Sequence, residues 1–273
     1  MSFDGLLTVT AEQAPSSAEE RRQKAWAIAQ ACVETLKRDC GATEVIIFGS
    51  LRGDTPWHSQ SDLDLAVRGM TSDDIWNAFP VLEKVVPSWL PFDLVAVDRA
   101  SERIRDRILQ ITPMPENKYL ALKLRLEDEL VAISKTIETL NKVLADASTV
   151  ANIFVTPALA SYSEDFYSGC EHLAERIAVE LDGALPKGKN WHEQLLLQVS
   201  ESGGEERPPL WDKPLLKKLD EYRRFRHRVR HLYNFDLDDK KVLDMARRAA
   251  VVFEEIEQAV ATFSEWLVHR ARQ

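Results

Sequence analysis

The chain has 273 residues, 45% of them apolar, and a formal net charge of -9. That content supports a packed core and excludes wholesale disorder. The negative balance excludes general adhesion to nucleic acid or anionic membrane, so any such contact must be a local basic patch. The three cysteines (Cys32, Cys40, Cys170) have no metal-ligand spacing and fit reduced thiols. No basic start with an apolar core opens the chain, and no apolar run approaches the roughly 20 residues that span a bilayer. The expectation is a cytoplasmic protein without membrane contact.

In chain order, residues 17–40 have helical spacing, with Ala25, Ile28, Ala29, Cys32, Val33 and Leu36 on one stripe and Gly41 as C-cap. Val45–Phe48 reads as a buried strand ending at Gly49-Ser50. After a polar loop with Gly53 and Pro56, Asp62–Val67 alternates as a second strand. Thr71–Val86 reads as a helix capped by Thr71 or Ser72, with Asp73 and Asp74 in its first turn. Phe92–Val97 is a third strand, and a short helix over 99–110 follows. Pro113 and Pro115 punctuate the chain. Beyond them only helical periods occur, at Glu116–Asp146, Pro157–Leu181, Trp191–Ser200, Leu210–Tyr233 and Asp239–His269. The fold class is therefore α+β: an N-terminal α/β domain with a small mixed sheet over residues 1–113, then an all-α bundle over 114–273.

Two constellations carry chemistry. In the first, Asp62 and Asp64 lie two apart on a predicted strand and leave the same face. Two such carboxylates repel unless a cation lies between them. Mg²⁺ wants hard oxygen ligands and completes its shell from water and substrate phosphate. Asp93 interrupts an apolar strand, where a carboxylate is costly without a partner. A neighbouring Asp93 would supply a third metal ligand or accept a proton from an attacking hydroxyl. Gly49 lets backbone N–H groups approach a phosphate, Ser50 adds a hydroxyl, and Arg52 is a further candidate phosphate contact. An Asp-x-Asp alone is common on surfaces; the combination is much sharper.

In the second constellation, residues 221–231 hold five arginines and two histidines. Arg226, His231 and Tyr233 form Arg-x4-His-x-Tyr. On a continuous helix Arg226 and Tyr233 share a face, whereas His231 points elsewhere, above His227. Joining His231 to Arg226 would take a second copy of the chain or a bend near Asn234. Arginine binds phosphate bidentately, and histidine moves protons near neutrality. A basic solvated helix face is the plainer reading of the composition.

The stretch FGSLRGDTPWHSQSDLDLAV resembles the minimal nucleotidyltransferases of the DNA polymerase β superfamily, with eleven residues between Gly-Ser and Asp-x-Asp. The resemblance implies transfer of AMP from ATP with Mg²⁺, metal binding by Asp62, Asp64 and Asp93, and ATP binding at Gly49, Ser50 and Arg52. The segment around Arg226, His231 and Tyr233, with GCEHLAERIAVELDGALPKGKNWHEQLL upstream, is similar to HepT-type toxins with HEPN domains. That resemblance implies a metal-independent endoribonuclease with catalytic Arg226 and His231. It also implies RNA contact through residues 222–233, a homodimer through the HEPN domain, and silencing by AMP on Tyr233. A toxin–antitoxin fusion follows as the expected function. The alternative is a small-molecule, aminoglycoside-like nucleotidyltransferase with a helical substrate domain, which has no use for the Arg-x4-His-x-Tyr segment.

Overall fold

A computed structural model describes residues 15, 17–54, 56–58, 61–100, 102–111, 114–147, 152–231 and 236–273. The fold is α+β and divides into two units, Met1–Met114 and Pro115–Gln273.

Helix α1, Ala18–Asp39, starts where the Ser17 hydroxyl accepts from the Glu20 N–H. Glu19 and Glu20 near its start and Lys37 and Arg38 near its end complement the helix dipole. Strands β1 (Glu44–Phe48), β2 (Leu63–Arg68) and β3 (Phe92–Ala96) form a mixed sheet in the order β1-β2-β3. β1 runs antiparallel to β2, and β3 runs parallel to it. A parallel pair needs a crossover, which is supplied by α3, Ser72–Leu82. The Thr71 hydroxyl and the Asp74 carboxylate close a reciprocal capping box at its start. The two sheet faces follow the period of two in β2. Leu63, Leu65 and Val67 join Ala25, Ala29, Cys32 and Leu36 of α1 and Ala78 and Leu82 of α3. Ala66, on the other face, joins Val97 and Ile108 of α4, Glu102–Ile108.

Pro115–Gln273 contains α5 (Lys118–Asp146), α6 (Asn152–Glu180), α7 (Trp191–Ser200), α8 (Lys213–Val229) and α9 (Asp239–Arg270). Their apolar stripes meet in one core, including Leu126, Phe166, Leu195, Trp211, Tyr222 and Phe253. Two polar ties lie inside it. Arg125 holds Glu180 across α5 and α6, with both side chains under 10% exposed. Arg207 is fully buried; it grips Asp182 and donates to the carbonyls of Gln198 and Pro208. Removing one partner of such a pair costs about 3–5 kcal/mol. Among the described residues, no helix is long and apolar enough to cross a membrane.

Three local expectations are corrected. β1 is half-buried rather than buried, because among the described residues it is an edge strand paired with β2 alone. Asp62 lies one residue ahead of β2 rather than on it. α8 ends at Val229, with Arg230 as its C-cap, instead of running to Tyr233. Tyr233 lies outside the described residues.

Candidate functional site

The first candidate site is the corner where the end of β1 meets the start of β2, with the start of β3 beside it. At the end of β1 the chain turns through Gly49 with φ of 70° and enters a single helical turn, α2, Gly49–Arg52. The positive φ favours glycine, and the surroundings demand it. A Cβ at this position would lie 1.9 Å from Oδ2 of Asp64. The Asp64 carboxylate therefore lies against the bare backbone of Gly49. Register explains the meeting: Asp64 pairs with Phe48 across β1–β2 and with Asp93 across β2–β3. Paired residues on adjacent strands are about 4.8 Å apart and face the same side. Asp93 is exposed, so its carboxylate is open to solvent.

The turn is braced from within. The Gly49 N–H donates to Asp54 (2.8 Å), and the Asp54 N–H donates to the Gly49 carbonyl (3.0 Å). Arg52 donates through Nε to the same Asp54 carboxylate and through its other nitrogens to the carbonyls of Arg107 and Ile108, at 3.0 Å each. Arg52, expected as a phosphate contact, ties α2 to the end of α4 with its fork. Ser50 is buried beside it, 8% exposed.

Asp62 has a surrounding that the sequence did not announce. Arg21, in the first turn of α1, is 8% exposed. Its guanidinium donates to the carbonyl of Ser61 (2.9 Å) and to that of Trp89 (2.5 Å). It lies over the rings of Trp89 and Trp57. Burial pulls the Arg21 pKa down, and attraction to Asp62 opposes that shift. Nothing in the run Glu-Glu-Arg-Arg-Gln-Lys marks Arg21 as different from its solvated neighbours.

Asp64 and Asp93 offer two hard carboxylates. That number fits a Mg²⁺ ion whose remaining ligands come from water and substrate phosphates. Among the described residues, no group of three or more His, Cys, Asp or Glu side chains is gathered to hold a metal. The three aspartates do not form a closed cage.

The second candidate site is the C-terminal end of α8. Leu215, Leu219, Tyr222 and Phe225 form its buried face, and the Tyr222 hydroxyl donates to the Met245 carbonyl (2.7 Å). The basic residues fall on the other side and are largely matched by acids. Asp220 pairs with both Arg223 and Arg224. Burial opposes its ionisation, but hydrogen bonds from Arg224 and Arg223 outweigh it and hold its pKa below the usual carboxylate range. Glu164 of α6 faces Arg226 (3.8 Å) and Arg230 (3.2 Å). His231 lies on His227: Nδ1 is 2.7 Å from the His227 carbonyl, and the ring centroids are 4.4 Å apart. Arg226 therefore turns toward α6 while His231 caps the outward face of α8. The structure does not bring the two together within one chain.

Two further histidines, given no chemistry by their sequence context, hold buried carboxylates. His192 of α7 sits 2.5 Å from Glu171, which also accepts from the Tyr167 hydroxyl (3.2 Å). His172 pairs with Glu129 (3.2 Å), and that hydrogen bond raises its pKa.

No curated protein and no solved structure matches the chain. Residues 158–267, which contain Glu164, Arg226, His231 and Tyr233, match the family model described as HepT-like protein, so this part of the helical unit is a HepT-like, HEPN-type domain.

Proposed function

We propose that the N-terminal unit is a nucleotidyltransferase that moves AMP from ATP onto Tyr233 and thereby silences an endoribonuclease in the HEPN-type domain. The observation that carries this reading is the Gly49 backbone lying against the Asp64 carboxylate, with Asp93 in register beside it. Two carboxylates beside a glycine turn support that reading, because a Mg²⁺ ion carrying ATP phosphates needs hard oxygen ligands. The family match over residues 158–267 supports a toxin–antitoxin setting.

In the proposed reaction the Tyr233 oxygen attacks the α-phosphorus of ATP. The bond to the pyrophosphate oxygen breaks, and pyrophosphate leaves. The unperturbed phenol has a pKa of about 10, so its proton needs an acceptor; in this scheme the Asp93 carboxylate takes it. Bound Mg²⁺ would neutralise charge on the phosphates, held by Asp64 and Asp93 with Asp62 alongside. Gly49 and Ser50 would line the phosphate side of the pocket. Tyr233 modified in this way carries bulk and negative charge into the Arg226–Arg230 segment and blocks RNA there.

For the unmodified chain, Arg226 and its neighbours bind RNA phosphates, and His231 moves the proton of the 2′-hydroxyl or the leaving oxygen. The separation of Arg226 from His231 within one chain favours a site composed from two copies. RNA cleavage by the double variant Asp62→Ala, Asp64→Ala tests the scheme. That variant is expected to cleave RNA without added metal, and further substitution Arg226→Ala or His231→Ala is expected to stop it. A double variant that is as inert as the wild type contradicts the proposal.

A further inference from the structure

Arg21 belongs to neither motif, yet it is the most enclosed cation beside the aspartate corner. Its helix is anchored to the loop that precedes Asp62 twice. The Trp57 indole N–H donates to the Ala18 carbonyl (3.0 Å), and Arg21 donates to the carbonyl of Ser61, the residue immediately before Asp62. Ser61 is itself 4% exposed, and its hydroxyl accepts from the His58 N–H (2.9 Å). The same guanidinium reaches the carbonyl of Trp89, four residues before Asp93. A third link joins the two loops directly, because the Leu63 N–H donates to the Pro91 carbonyl (2.9 Å). The planar fork thus bridges the backbone leading into β2 to the backbone leading into β3. Trp57 and Trp89 flank it, their ring centroids 5.9 and 5.0 Å from the guanidinium carbon.

We propose that Arg21 is a positioning residue of the aspartate corner: its two-carbonyl bridge holds the backbone leading into Asp62 and Asp64 and the backbone leading into Asp93 in one arrangement. This rests on the nucleotidyltransferase reading. The action is geometric. A nearby positive charge by itself repels a divalent cation, so charge alone would weaken metal binding, whereas the bridge holds the carboxylates in one arrangement before metal and ATP arrive. Lysine keeps the charge but cannot span two carbonyls with a rigid fork. Arg21→Lys therefore separates the two effects.

The test uses the full chain with Mn²⁺ as probe, following the free-ion electron paramagnetic resonance signal in the presence of ATP, together with amide hydrogen exchange. Arg21→Lys is expected to weaken Mn²⁺ binding about tenfold and to speed exchange over 61–65 and 89–95 by a similar factor. Exchange over α5 and α6 is expected to stay unchanged. Arg21→Ala is expected to regain Mn²⁺ affinity when ethylguanidinium is added back, which keeps the test decisive if the lysine variant folds poorly. Wild-type Mn²⁺ affinity in Arg21→Lys, or altered exchange without altered affinity, overturns the role of Arg21 alone. A wild-type chain that binds no Mn²⁺ with ATP overturns the nucleotidyltransferase reading along with it.

Discussion

The aspartate corner and the end of α8 are built on opposite principles. In the corner, strand register makes the meeting: Asp64 has Phe48 on one side and Asp93 on the other, and Gly49 leaves room for its carboxylate. At the end of α8, residues close in sequence are turned apart, Arg226 toward Glu164 of α6 and His231 onto His227. A sheet places side chains from distant segments on one face, whereas a helix sends positions five apart in different directions. The first site is prepared within a single chain. The second, in the proposed reading, takes its other half from a second copy of the chain.

The largest expected effect breaks the corner. Gly49→Ala puts a methyl group into the space of the Asp64 carboxylate and strains a backbone at φ of 70°. Displacing a reacting group by roughly 1 Å lowers rate by about a hundredfold. AMP transfer, read by intact mass, should fall by that factor while the helical unit melts as before. Unchanged transfer would show that the corner is not the site.

The second prediction sharpens the contrast at α8. In the Asp62→Ala, Asp64→Ala background, Arg226→Ala chains and His231→Ala chains are each expected to be inactive on RNA. Mixed and reassembled, half the dimers carry one intact composite site of two, so about a quarter of the cleavage should return. No return would place both residues in one chain's site.

Arg52→Ala tests the brace. Its bonds to Asp54 and to the Arg107 and Ile108 carbonyls predict about 2 kcal/mol lost from the N-terminal unit in denaturant titration. A phosphate contact would instead raise KM for ATP at unchanged stability. Tyr222→Phe, which removes a single buried hydrogen bond to Met245, should lower the stability of the helical unit by about 1 kcal/mol.

The smallest effect is in pH dependence. The Glu129 hydrogen bond raises the His172 pKa above 6.5. The stabilisation is therefore complete below the unfolded value of 6.5 and is lost as pH rises through the folded one. Glu129 shifts the other way. Burial opposes its ionisation, but His172 and Arg176 outweigh it. Its contribution is present above 4.5 and lost as pH falls through the lowered folded value. Thermal melts should weaken on the alkaline side of the histidine range, and His172→Asn should remove that slope.

Legibility followed the same division. β1, β2 and β3 were readable because alternation and apolar runs have short periods, and the Gly49 turn was readable because glycine marks positive φ. The α8 terminus was not, because an arginine-rich run keeps good helix formers up to His231 without a glycine or proline stop. The Arg52 brace was not readable, because its partners in α4 lie 55 and 56 residues away. Arg21 and the His192–Glu171 pair were invisible for the same reason: burial of a charged side chain is set by distant loops, and composition carries no trace of it.

The most direct test of the account is peptide mapping by mass spectrometry of the full chain after incubation with ATP and Mg²⁺. The account predicts one or more AMP groups on Tyr233, absent from Asp64→Asn. AMP on no residue, or AMP on Tyr233 that persists in Asp64→Asn, would contradict it.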